Sequence, residues 1–215
     1  MKRILLILTV LGAMLPSLSA IDFAQLEVDV TMNPSEYKGL LDRFVAGDTT
    51  LTIPEVQKVY YGFAFTPSYE PRDTFPAIRE AYKRKDFVEV GRLVGEALEL
   101  NPVSLDLSLM ARAAYESGEI PMSGVKALNM SNRTRMLTSA ILKSGQGTMA
   151  RSPFCVTSSK DRDRLLHDII VVGPILGTDH VGEIEAYKFN FPGHSRMHIL
   201  YFDNTLEEKF LKSHR

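Results

Sequence analysis

Tryptophan is absent from this 215-residue chain, and cysteine occurs once, at Cys155. A single cysteine leaves no internal disulfide, so stability has to come from packing. Cys155 lies in the apolar run Pro153-Phe154-Cys155-Val156, which reads as a strand. A free cysteine in that setting behaves as a small buried hydrophobe rather than a nucleophile. Neither sign of charge dominates: 25 basic and 26 acidic residues give a net charge of −1, with no basic stripe. Without an electropositive surface a nucleic-acid partner is excluded. Phosphate-binding loops are missing, in both the Gly-x-Gly-x-x-Gly and the Walker forms. The nucleophile elbow Gly-x-Ser-x-Gly is missing too, and Gly193-His194-Ser195 is only a fragment of it. No cofactor is implied, and nothing marks out a pair of carboxylates for glycosidase chemistry.

Long apolar runs are also scarce. The one that stands out, Ile4 to Leu15, is interrupted only by Thr9 and Gly12. It falls well short of the ~20 residues a spanning helix needs. Lys2 and Arg3 precede it, Pro16 breaks it, and Ser17-Leu18-Ser19-Ala20 offers small residues to a peptidase. That is the pattern of a secretory signal peptide, cleaved after Ser19 or Ala20. No cysteine stands at the cleavage region, so no lipid anchor is expected. The expectation is a chain released into the periplasm or secreted, with no stable membrane insertion after cleavage.

What the sequence does have is helical spacing through its first two-thirds. Ser35 to Val45 carries Tyr37, Leu40, Leu41 and Phe44 on one stripe, with Ser35 as cap and Gly47 as terminator. Thr52 and Glu55 have capping-box spacing, and Pro54 suits a first turn. Val56, Val59, Tyr60 and Phe63 follow at helical intervals, ending in the loop Thr66-Pro67-Ser68-Tyr69-Glu70-Pro71. From Phe75 to Leu100 the pattern breaks at Lys85-Asp86-Phe87. Asn101-Pro102 ends it, and Leu105 to Ser117 is the next helix. Ala81-Tyr82 and Ala114-Tyr115 are spaced much as in a tetratricopeptide repeat, whose period is about 34 residues. One and a half such units would need something else to pack against. Gly124 to Leu142 reads as another helix, and Ser144-Gly145-Gln146-Gly147-Thr148 as a flexible hinge.

Composition then changes. Phe154 to Thr157 reads as a short strand, and Lys160 to Ile169 as a helix capped by Ser158 or Ser159. A loop follows, punctuated by Gly173-Pro174 and Gly177-Thr178. Alternation over Glu183 to Phe191 predicts a strand, Pro192-Gly193 a turn, and Met197 to Phe202 a second strand, paired antiparallel. Leu206 to Lys212 is a short charged tail. The predicted fold is α+β: a signal peptide (1–20), a tetratricopeptide-like helical lobe (21–143), and a small antiparallel β lobe with one helix (144–215), the last two open to being one integrated domain.

Several segments resemble an uncharacterised family of exported Bacteroidetes proteins, the domain of unknown function 4919. They are Gly47 to Thr52, Tyr60-Tyr61-Gly62-Phe63-Ala64-Phe65-Thr66-Pro67, the hairpin around Asn101-Pro102, Ser144 to Gly147, and Leu200-Tyr201-Phe202. The resemblance spans nearly the whole mature length. It implies no activity, cofactor or catalytic residue. Met149-Ala150-Arg151-Ser152-Pro153 departs from the Ser-Pro-Glu-like stretch of that family.

Candidate sites are few. Tyr60 and Phe63 are placed in the core by their spacing. Tyr61, Phe65 and Tyr69, beside a proline-rich loop, are the candidate binding surface, against the simpler reading that the loop plugs the helical lobe. His180, His194 and His198 are the candidate metal ligands, although His194 and His198 flank a turn and lack the zinc-protease glutamate. Thr49, in Asp48-Thr49-Thr50, fits an O-glycosylation pattern resembling that of exported Bacteroidetes proteins, against an ordinary turn. Together these point to a non-enzymatic interaction module whose partner is another envelope protein. The alternative is an envelope hydrolase, metal-dependent in the version that uses the three histidines.

Overall fold

A computed structural model describes residues 21–72, 74–120 and 124–214. The expected signal segment, Met1 to Ala20, lies outside the described residues. The chain is α+β, with seven helices preceding the first strand among the described residues.

Helix α1 (Phe23–Met32) has no counterpart in the sequence expectations. Asp22 caps it by accepting from the Gln25 N–H at 3.0 Å, and Leu26 and Val30, one turn apart, are its buried side chains. Helix α2 (Pro34–Val45) starts one residue earlier than expected, because Pro34 occupies the first turn and Asn33, not Ser35, is the N-cap residue. Helix α3 (Ile53–Gly62) has the full capping box: Thr52 Oγ1 accepts from Glu55 N–H, and Glu55 Oε2 accepts from Thr52 N–H at 2.7 Å. It tightens into a 3₁₀ turn over Phe63–Phe65.

The chain reverses between α4 (Pro76–Lys83) and α5 (Phe87–Leu100), where Lys85 takes a left-handed φ of 60° and Asp86 caps α5. Ser104 caps α6 (Leu105–Glu116) by accepting from Leu107 N–H. These three helices enclose a core of their own in which Ala81, Ala97, Ala111 and Ala114 are wholly buried, and Met130 of α7 (Gly124–Leu142) closes it. Small side chains at those positions let the helix axes approach closely.

The main core crosses the 143/144 boundary. Phe44, Tyr60, Tyr61 and Leu137 from the helices pack in one cluster with Phe154, Leu165, Phe189 and Phe202. The segment between α7 and the sheet is not the flexible hinge its glycines suggest. Ser144 Oγ accepts from Cys155 N–H at 2.8 Å, and Gly147 O accepts from Tyr201 N–H at 2.7 Å. A Cβ on Gly145 would lie 1.9 Å from the Pro153 carbonyl oxygen, and one on Gly147 would lie 2.2 Å from the Phe154 ring. Glycine stands here for close approach rather than mobility.

The sheet has the order β1 (Phe154–Cys155), β4 (Met197–Asp203), β3 (Ile184–Asn190), β2 (Ile175–Val181). Strand β1 runs parallel to β4, and the other pairings are antiparallel. The sheet is therefore mixed and larger than the expected antiparallel pair. Strand β2 replaces the loop predicted around Gly173 and Gly177, with a bulge between Ile175 and Gly177. Helix α8 (Ser159–Arg164) runs on as a π-helix over Leu165–Ile170. The predicted charged tail is helix α9 (Thr205–Ser213), so this part of the chain holds two helices rather than one. Leu206 and Phe210, one turn apart, give it an apolar face, and Glu207 and Glu208 in the first turn with Lys212 in the last suit the helix dipole.

Candidate functional site

The aromatic segment that closes α3 is where the two parts of the chain meet. Tyr60 and Tyr61 are fully buried, with ring centroids 4.8 Å apart. Their hydroxyls point towards residues 155–161. Tyr61 Oη donates to the Cys155 carbonyl at 3.0 Å. Tyr60 Oη donates to Asp161 Oδ2 at 2.9 Å and accepts from Thr157 N–H at 3.2 Å. Tyr69, also buried, donates to the Thr157 carbonyl. Burial drives the pKa of all three phenols upward, so they remain hydrogen-bond donors.

Asp161 sits at the centre of this joint, 1% exposed. Besides Tyr60 it accepts from Asp106 N–H at 3.0 Å, with Ser104 Oγ at 3.5 Å, and so caps the start of α6 from a different helix. The nearby cations go elsewhere: Arg79 and Arg164 bind Asp106 at 2.6 and 2.7 Å. Burial, aided by the charge of Asp106, pushes the Asp161 carboxyl up to about 6, while its hydrogen-bond donors pull it down. An adjacent cavity lined by Ser104, Asp106 and Arg79 holds only about 30 Å³. The joint itself is filled by buried side chains.

Open space lies on the other side of the same segment. A groove of about 540 Å³ runs between α1 and α9, with Ala64-Phe65-Thr66-Pro67 and Tyr69 at its base. Phe210 and His214 stack at 4.0 Å on the α9 wall, and Tyr69 meets Phe210 edge-on at 5.2 Å. Glu27 and Thr31 line the α1 side; Lys209 and Ser213 line the other. Ser213 Oγ lies 3.0 Å from His214 Nδ1, but both groups also reach the Phe210 carbonyl, at 2.9 and 3.0 Å. Both groups converge on the same last-turn carbonyl of α9. The pair thus helps to close the C-terminal end of α9.

The expected sites are distributed as follows. Of the three candidate surface aromatics, Tyr61 and Tyr69 belong to the core, because each hydroxyl finds a carbonyl in the interior. Phe65 stays half-buried, at the groove. His180 is exposed on β2, opposite Glu185; His198 on β4 is opposite Phe189 and packs on the Phe189 and Phe191 rings. Those positions are four residues apart on β3, about 13 Å at strand rise, so His180 and His198 share no site, and His194 is exposed on the turn between β3 and β4. Among the described residues no group of three or more His, Cys, Asp or Glu side chains is arranged to hold a metal ion. Thr49 is exposed in the turn between α2 and α3, beside Asp48, whose Oδ1 accepts from Thr50.

Residues that matter here and went unmarked in the sequence are Asp161, Phe210 and His214. The i, i+4, i+8 spacing of Leu206, Phe210 and His214 was the available signal for the last two. Asp161 carried none beyond its place in a first helical turn.

Residues 24–174, more than half of the chain, match the sequence model of a family described as Domain of unknown function (DUF4919). Comparison with curated proteins and with solved structures gives no match.

Proposed function

This chain belongs to the DUF4919 family, a domain of unknown function, and on that footing we propose that it is an exported, non-enzymatic interaction module of the cell envelope whose recognition surface is the α1/α9 groove. The observation that carries the proposal is the groove itself: about 540 Å³ of open space with Phe65, Pro67 and the stacked Phe210–His214 pair on its walls. Aromatic side chains beside proline suit peptide recognition, since they give contact area at small entropic cost. The buried clasp behind the groove supplies rigidity, because the base is tied to residues 155–161 through three tyrosine hydroxyls.

The close packing of Ala81, Ala97, Ala111 and Ala114 in α4–α6 supports a tetratricopeptide-like character for that hairpin. The basic start and apolar run of residues 2–15 support export, to a Bacteroidetes periplasm on the earlier resemblance. A protein segment from another envelope component is the proposed occupant.

Photo-crosslinking tests this. A crosslinkable residue placed at Lys209 should capture one reproducible envelope protein, and Phe65→Ala should abolish the capture while leaving the circular dichroism spectrum intact. A capture profile indistinguishable from that of a probe at Glu89, on the far helical hairpin, would overturn the proposal. So would turnover of envelope substrates by the pure protein.

A further inference from the structure

One end of the sheet presents a second surface, independent of the groove. The π-helix after α8 closes with Val172 N–H donating to Leu166 O, and Val171 is held at φ 59°, ψ 56°. A β-branched residue adopts that left-handed conformation only where its surroundings impose it. The effect is to bury Val172 and turn Val171 outward, where it is 54% exposed. Gly173 N–H then donates to Asn190 O at 2.8 Å, Ile175 pairs with Phe189, and Asn190 pairs with Met197. Those pairings bring Val171, Leu176 and Met197 to the same end of the sheet, with Leu176 at 57% and Met197 at 52% exposure.

Charge at this end is one-sided. Ile169 to Thr178 contains no ionisable side chain, and Phe189 to Phe202 contains Arg196, His194 and His198 but no carboxylate. The flanking acids are already engaged, Asp168 with Arg164 and Asp179 with Lys188. Arg196 forms no ion pair among the described residues, on a turn that is exposed throughout from Pro192 to Met197.

We propose that this end of the sheet docks on an anionic phospholipid surface, with Val171, Leu176 and Met197 entering the headgroup boundary and Arg196 meeting the phosphates. Exposed aliphatic side chains beside an unpaired cation and no carboxylate are what an interfacial contact needs. Among the described residues no helix is long and apolar enough to cross a membrane, so the contact is peripheral. A groove for a peptide on one side and a lipid-facing tip elsewhere would let the chain hold its partner at the membrane surface.

Co-sedimentation of the full chain with vesicles tests the assignment. The chain should bind vesicles of mixed phosphatidylglycerol and phosphatidylcholine, and release from them at high salt. Arg196→Glu should weaken binding at least fivefold, corresponding to about 1 kcal/mol per basic side chain near such a surface. Leu176→Asp should weaken it about tenfold, the loss when one leucine no longer leaves water. Leu100→Asp, on an equally exposed leucine of α5, should bind as the parent does, and any contribution of residues 1–20 is common to all variants. Equal binding to pure phosphatidylcholine, no vesicle binding at all, or unchanged binding by both tip variants overturns the proposal. Capture of a protein through this surface without vesicle binding overturns it too. Arg196 lies on an exposed turn, so its reversal remains informative even if Leu176→Asp fails to fold.

Discussion

Replacing Asp161 by asparagine isolates the energetics of the buried joint. The folded-state value of about 6 stands above the ordinary value of 3.8, so the native state holds this proton more tightly than the unfolded chain does. Stability from this group is therefore complete below about pH 4 and is lost as the pH rises through about 6. Applying the linkage relation between pH 4.5 and 7.5 gives a loss of about 2 kcal/mol. The Tyr60 hydroxyl and the Asp106 N–H use different oxygens of Asp161, so asparagine keeps an acceptor for one of them and sets its amide against the other, a cost that does not vary with pH, and it has no charge to bury. Urea unfolding of both proteins across that range, followed by circular dichroism, provides the readout. Contributions of carboxylates remote from residue 161 cancel in the difference. The stability of the variant relative to the parent should climb by about 2 kcal/mol from acid to neutral pH, most steeply between about pH 4 and 6 and levelling off above it. A flat difference, or one that falls with pH, would refute the argument that burial outweighs the donors around Asp161.

Three further outcomes are expected. Gly147→Ala combines a φ of +70° with a Cβ 2.2 Å from the Phe154 ring and should cost about 2 kcal/mol or more in chemical denaturation; an unchanged midpoint would show the turn to be loose. Burial pushes the Cys155 thiol up to about 12, so a thiol reagent at neutral pH should modify it only after denaturant is added, and rapid labelling of the native protein would contradict its placement. If exposed Thr49 carries a glycan, the peptide containing it should show a mass increment in protein from the native host; an unmodified peptide ends that proposal.

The helical two-thirds was largely legible in the sequence because its signals are local. Thr52, Pro54 and Glu55 announce the start of α3 within four residues, and the alanines of α4–α6 mark a close-packed hairpin. Strand β2 was not legible. Gly173, Pro174 and Gly177 are breakers by any local rule, yet on an edge strand a glycine beside a bulge is tolerated. Helix α9 was obscured by its charges, although Leu206 and Phe210 fit one face. The fate of the tyrosines was beyond local reasoning altogether. Tyr61 lacks a partner on its own helix; its hydroxyl is satisfied by a carbonyl 94 positions away, and only the assembled core decides which aromatics remain at the surface.

That long reach has a consequence in time. The hydroxyls of Tyr60 and Tyr61 wait for partners that lie 94 to 101 residues later in the chain. At a synthesis rate of about 5–20 residues per second, the gap lasts about 5–20 s. Throughout that interval α3 has been made, but the residues that complete its core have not. Such a chain cannot finish folding before most of it has been made.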